Sequence, residues 1–162
     1  MVVNGAVLQL EKQLGYTFVD KQRLQQALMH SSAGALAFGR LEFLGDAVLG
    51  AIVARYAFVQ FPEVLEGGLS RYRAQLVCKV QLAAFARAIG LHKWLQIGPA
   101  LSRGALSQGV LADAFEAVCG AVFLDAGFKK CEQVVLGVMK SLLGEEISKV
   151  YAKDAKTRLQ EW

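Results

Sequence analysis

Proline is nearly absent, with only Pro62 and Pro99 in 162 residues, so little in the chain obstructs long helices. Cysteine is scarce too. Cys78, Cys119 and Cys131 are odd in number and lack CxxC spacing, which argues against a disulfide framework or a zinc site. They read as buried, reduced thiols of a cytosolic protein. The longest apolar stretches are interrupted by Asp46, Arg55, Asp113 or Glu116, and Met1-Val2-Val3-Asn4-Gly5 offers no basic segment ahead of an apolar core. Secretion and membrane insertion are both read against, and the expected compartment is the cytoplasm. No segment alternates with the period of a strand, and no internal repeat or low-complexity tract is present. Nor does any serine, cysteine or histidine have convincing catalytic partners.

What the chain does have is helix-forming apolar sequence. At 54% hydrophobic it holds ample core for one domain. Ala6 to Leu14 repeats apolar residues at helical spacing and stops at Gly15, and Asp20 is placed to N-cap a helix over Lys21 to Met29. Gly34 to Gly39 reads as a small-residue loop feeding a helix from Arg40 to Gln60, ended by Phe61-Pro62. A further helix is expected from Glu66 through Val77, Val80 and Phe85 to Ile89, ending at Gly90. After a glycine- and serine-rich connection from Gly98 to Gly109, two more helices are expected over Val110 to Asp125 and Lys129 to Lys149, split by Ala126-Gly127. The fold class is all-α, a helical, bundle-like single domain.

Within this apolar background the acids stand out. Arg40-Leu41-Glu42-Phe43-Leu44-Gly45-Asp46 sets two carboxylates four apart, about 6 Å along one helix face. Asp113 and Glu116, three apart in Leu111-Ala112-Asp113-Ala114-Phe115-Glu116, share a face of another helix. Four acids on two buried helices call for pairing or a metal, and oxygen-only ligands suit a hard divalent cation such as Mg²⁺. The net charge of +4 places the cationic surface elsewhere, which suits a polyanion cut at a metal site.

Arg40-Leu41-Glu42-Phe43-Leu44-Gly45-Asp46-Ala47-Val48-Leu49 resembles the signature of the bacterial ribonuclease III endonuclease domain. Leu14-Gly15-Tyr16-Thr17-Phe18, Gln26-Ala27-Leu28-Met29-His30, Glu66-Gly67-Gly68-Leu69-Ser70-Arg71-Tyr72-Arg73-Ala74 and Leu111-Ala112-Asp113-Ala114-Phe115-Glu116-Ala117 agree in the family's order. The resemblance covers nearly the whole chain. It implies the all-α ribonuclease III fold over 1–150 and a metal-dependent endoribonuclease acting on double-stranded RNA. Glu42, Asp46, Asp113 and Glu116 would then be both catalytic and metal-binding, holding Mg²⁺ with Mn²⁺ able to substitute, and Glu66 would be an auxiliary acid of the same valley. Implied products carry 5′-phosphate and 3′-hydroxyl ends with short 3′ overhangs, and implied substrates are rRNA precursors and structured mRNA. The resemblance also implies a homodimer, with Phe43 inserting into the partner subunit. Arg71 and Arg73 would meet RNA phosphates beside the cut.

The chain departs from the family at two places. Gly39 stands where another acid is usual, three before Glu42, and Ser107-Gln108-Gly109-Val110 replaces the usual basic residues and Glu-Ser, leaving Arg103 as that connection's only cation. The alternative reading is therefore a catalytically weak or silent ribonuclease III-like module that dimerises and binds double-stranded RNA. An unrelated helical metal-binding or interaction protein is a third class.

Other residues receive plainer expectations. His30 is read as a structural hydrogen-bonding residue beside a loop, His92 as a surface residue and Trp94 as a core anchor after Gly90. Lys129-Lys130 is a solvated helix start, and Phe58, Phe61 and Phe85 are expected in the core. Tyr151 to Trp162 resembles the linker and opening of a double-stranded-RNA-binding domain, making 151–162 the start of a truncated second domain.

Overall fold

The computed structural model describes residues 3–101 and 106–144, and within them every named element is helical. The order is α1 (Val3–Leu14), α2 (Lys21–Leu28), α3 (Leu36–Gln60), α4 (Glu66–Leu76), α5 (Lys79–Ala88) and α6 (Gln108–Leu143). Short 3-10 turns lie at Ser31–Ala33 and Leu91–Lys93. The only extended pairing among the described residues is an isolated bridge between Met29 and Gln96. Arg103 and the segment Tyr151 to Trp162 lie outside the described residues.

Local chemistry accounts for most of the boundaries. Gly15 takes φ 63°, ending α1 in the left-handed region that glycine enters without steric penalty. Asp20 caps α2 by accepting from the Gln22 backbone N–H at 3.0 Å. Ser107 caps α6 in the same way, accepting from Val110 N–H at 3.2 Å. Gly127, at φ 77° and ψ 179°, bends α6 where the sequence placed a break.

Three boundaries differ from expectation. Instead of leaving a loop to Gly39, α3 begins at Leu36. Its first turn is anchored by the fully buried Phe38, whose ring meets His30 edge-on at 4.8 Å. The helix expected over Glu66 to Ile89 is two helices, because Cys78 is extended (φ −71°, ψ 154°). That break lets α4 pack on α3 while α5 packs on α6, and no glycine or proline marks it. Finally, α6 ends at Leu143, before Gly144 at φ 55°, and the expected continuation to Lys149 lies outside the described residues.

The core gathers around α3 and α6. Leu41, Val48, Leu49, Ile52, Val53 and Ala57 form the inward stripe of α3. Phe85 is buried as expected, while Phe61 is half-buried against Tyr72 at 5.1 Å between ring centroids. Phe58 is not core. It follows Ala57 by one residue, about 100° off the stripe, and is 72% exposed. Cys119 and Cys131 are buried and free, and burial pushes the Cys131 thiol up to about 12, whereas Cys78 is exposed rather than buried. Trp94 packs on the core from a half-buried position. His30 is structural, its Nδ1 accepting from Ser32 N–H at 3.1 Å.

Asp125 ties the α1–α2 connection to α6. Its side chain is 2% exposed, and it accepts from the Tyr16 hydroxyl at 2.6 Å, Val19 N–H at 2.7 Å and Asp20 N–H at 3.0 Å, with Arg23 Nε at 3.5 Å. Burial alone would raise its carboxyl, but these hydrogen bonds and the Arg23 charge hold it below the usual carboxylate range. Its stabilising contribution is therefore present above the ordinary aspartate pKa and lost as pH falls through the depressed value. Asp125→Ala is expected to cost about 3 kcal/mol in urea unfolding at pH 7, with the deficit shrinking in strong acid.

Candidate metal centre

The site begins at a helix crossing. Gly45 on α3 meets α6 so closely that an added Cβ would lie 1.8 Å from the Glu116 carbonyl oxygen. Across the contact, a Cβ on Gly120 would lie 2.3 Å from the Leu41 carbonyl oxygen. The two backbones therefore touch, and residues flanking the crossing are carried toward each other. Glu42 lies one turn before Gly45, and Glu116 and Asp113 lie on the facing turns of α6.

Glu42, Asp113 and Glu116 each offer a carboxylate oxygen, and these atoms lie within 4.8 Å of one another. All three side chains are half-buried. Burial raises the Glu116 carboxyl to about 7, helped by the charges of Asp46, Asp113 and Glu42 and opposed by Lys79. Burial likewise raises Glu42, with Asp113 and Asp46 adding repulsion and Lys79 opposing it. Such a cluster repels itself when ionised and is short of positive charge. An oxygen-only set at this spacing fits a hard divalent cation, which would relieve that repulsion.

The fourth expected ligand behaves differently. Asp46 is exposed and does not join the other three within that distance, so the expectation of four buried acids is corrected. Its position one turn beyond Glu42 puts it at the open rim of the cluster, near enough to raise both Glu42 and Glu116. Glu66 is exposed at the first position of α4 and accepts from the Ser70 hydroxyl at 2.7 Å. It is not part of the three-oxygen group. Arg71 and Arg73 are exposed on the same helix. Lys79 was missed by sequence reasoning. It is the first residue of α5, and its charge is felt at Glu42 and Glu116 because the unsignalled break at Cys78 sets where α5 begins, so nothing in its local sequence marks it.

Phe43 points away from this chain's core and is 80% exposed. Beside it lies a hollow of about 690 Å³ lined by Gln26, Ala37, Arg40, Leu41, Leu44 and Leu124 among others. Gly39 also borders this hollow, and open space surrounds the position its Cβ would take.

Fold and cluster together define a class: an all-helical domain whose crossing helices present convergent carboxylates suited to a divalent ion. A family model described as Ribonuclease-III-like matches residues 20–142. Ribonuclease 3 of Thiobacillus denitrificans is 47% identical over 98% of this chain and 72% of its own length. Ribonuclease 3 of Hahella chejuensis is 45% identical over 94% and 69% respectively. Among solved structures, the nuclease domain of ribonuclease III from Campylobacter jejuni superposes with a TM-score of 0.78 at 37% identity. That match covers 82% of this chain and 95% of the other, which is described as flexible in its region of dimer formation. The chain belongs to the ribonuclease III family and is an endoribonuclease of that family.

Proposed function

We propose that the chain hydrolyses phosphodiester bonds of double-stranded RNA as a homodimer in the cytoplasm, with Mg²⁺ or Mn²⁺ held by Glu42, Asp113 and Glu116 and with Asp46 at the rim. The observation that carries this reading is the convergence of three carboxylate oxygens within 4.8 Å in a ribonuclease III domain. A divalent ion bound there would acidify attacking water and neutralise charge on the phosphate. The chain's own residues do the remainder. Glu42, Asp113 and Glu116 supply negative charge from two helices braced at Gly45 and Gly120, and Asp46 faces incoming RNA from the open side. Glu116 must give up its proton for the full charge to form, so metal affinity and cleavage rise together as pH passes through about 7.

RNA contact falls to exposed cations, with Arg71 and Arg73 on α4 offering guanidinium groups to phosphates and Glu66 serving as an auxiliary acid. An A-form duplex is read through its shape, phosphates and 2′-hydroxyls, so cleavage should show little base readout. Products with 5′-phosphate and 3′-hydroxyl ends follow from water attacking phosphorus and the 3′ oxygen leaving. Because a twofold dimer uses the same patch on both subunits, Phe43 of each protomer would enter the hollow beside Phe43 of the other.

The direct test is cleavage of a labelled RNA hairpin at low salt with Mg²⁺ or Mn²⁺, beside an Asp46→Asn variant and a single-stranded control. Duplex-only, metal-dependent cutting that Asp46→Asn lowers by about a hundredfold or more is expected. No cutting with either metal by a folded dimer would replace this reading with the silent, RNA-binding one. For the assembly, Phe43→Glu is expected to shift the mass measured by light scattering from dimer to monomer while leaving the helical circular dichroism intact. An unchanged dimer would remove Phe43 from the interface.

A further inference from the structure

At the far end of α5 from Lys79, about 12 Å along the helix, lies a second hollow of about 310 Å³. Its wall is made by Gln9 and Gln13 of α1, Arg87 at the end of α5, Gly90, and Lys93 and Trp94 of the following turn. Gly90, at φ 70°, is left-handed, and this reverses the chain so that Lys93 and Trp94 fold back beside Arg87. Gln9 and Gln13 are one helical turn apart and so face the hollow together. Among the described residues no carboxylate lines it. Among the described residues neither Arg87 nor Lys93 takes part in an ion pair, unlike Lys21, Arg23 and Arg55.

Two cations without an ion pair among the described residues therefore share one concave wall with a half-buried indole and two primary amides. The positive character of the region is also felt by its neighbour His92. Burial, together with the Lys93 and Arg87 charges, holds that imidazole below its usual range. His92 is correspondingly half-buried rather than the surface residue expected, and its buried Nδ1 has no hydrogen-bond partner among the described residues.

We propose that this hollow is a second nucleotide-binding site, separate from the carboxylate cluster, in which Arg87 and Lys93 hold a phosphate and Trp94 packs against the base. The chemistry is complementary at each point. Paired cations hold phosphate oxygens by charge-assisted hydrogen bonds, and an indole offers an apolar surface to any base. Glutamine amides donate and accept, so Gln9 and Gln13 can meet base edges or ribose hydroxyls. The volume is that of a small-ligand pocket, enough for one nucleotide unit rather than a duplex. The same chemistry can come from a free mononucleotide or from an unpaired nucleotide of an RNA strand. This inference uses none of the metal-site residues and stands whether or not the chain cuts RNA.

The test is a titration of the ¹⁵N-labelled chain, free of metal, with AMP and separately with a single-stranded RNA octamer. The readout is the Trp94 indole N–H signal, assigned with Trp94→Phe. Saturable movement of that signal at about millimolar AMP or below is expected, with about tenfold weaker binding in the Arg87→Ala/Lys93→Ala double variant. An octamer that binds more tightly and is competed off by AMP would identify an RNA strand as the source. An octamer no better than AMP would identify a free nucleotide. A Trp94 signal that stays still with both probes, or binding that the double variant leaves unchanged, overturns the proposal. Should the double variant lose its fold, Lys93→Glu alone carries the same expectation, because Lys93 is exposed. Cleavage of a duplex hairpin is a separate readout, so loss of the nuclease reading would leave this result untouched.

Discussion

Replacing Glu116 by glutamine should raise the thermal midpoint of the metal-free protein at pH 8 by about 5 °C while abolishing duplex cleavage. Glu116 has a carboxyl raised to about 7 from an ordinary value of 4.5, first by burial and then by three neighbouring acids. Between those two values the folded chain keeps a proton that the unfolded chain has already released. Stability therefore declines as pH rises through that window, and the penalty is complete above it. The full shift would correspond to about 3 kcal/mol, and solvent screening of a half-buried group reduces this to about 2 kcal/mol. Glutamine has nearly the same shape and no charge, so Glu116→Gln escapes the penalty at pH 8 and gains almost nothing at pH 4.

Metal addition separates this account from a packing effect. Mg²⁺ should raise the wild-type midpoint at pH 8 by binding only the folded state, and should move Glu116→Gln much less. Differential scanning calorimetry at the two pH values, with and without Mg²⁺, gives all the comparisons. Equal midpoints at pH 8 in the absence of metal would mean that the three carboxylates do not burden one another as their spacing implies.

Gly45→Ala carries the second large effect, in the opposite direction. A methyl group at this position would meet the Glu116 carbonyl oxygen at 1.8 Å and its carbon at 2.5 Å, both backbone atoms that cannot rotate away. The helices must separate, which opens the core around Leu41, Phe115 and Val118 and moves Glu42 away from Glu116. An overpacked core typically costs about 1–3 kcal/mol, and a backbone clash this close puts Gly45→Ala at or above about 3 kcal/mol, lowering the midpoint by about 10 °C. Displacement of the carboxylates by about 1 Å would slow cleavage about a hundredfold even in molecules that remain folded. Urea unfolding measures the first effect, and cleavage rates at a temperature well below the midpoint measure the second. Gly39→Ala is the control, because open space surrounds its Cβ position. If Gly45→Ala unfolds like the wild type, the close crossing of α3 and α6 is wrong.

The helical boundaries set by local chemistry were readable from the sequence. Gly15, Asp20, Phe61-Pro62, Gly90 and Gly127 each act on their own few residues through φ preference, capping or a missing N–H, and each boundary falls where its residue stands. Boundaries without such a signal were not readable. The α4–α5 break at Cys78 is imposed by what the two helices pack against, and the early start of α3 depends on Phe38 finding His30. Phe58 looked like core because aromatic residues recur nearby, yet its exposure follows from the face that α3 turns toward α6.

By itself the sequence determined that this is an all-helical member of the ribonuclease III family, with two acidic pairs spaced to share helix faces. Those properties depend on residues close together in the chain or on motifs preserved in order. Only the tertiary structure decided that Glu42, Asp113 and Glu116 form one cluster while Asp46 stands at its rim. It also decided that the Lys79 charge is felt at Glu42 and Glu116, that Phe43 faces outward, and that Arg87, Lys93 and Trp94 share a hollow with α1. Each of these depends on how separate helices meet, and the α3–α6 crossing is set by backbone contact at Gly45 and Gly120, 75 residues apart in sequence. Such contact gives no local pattern to read.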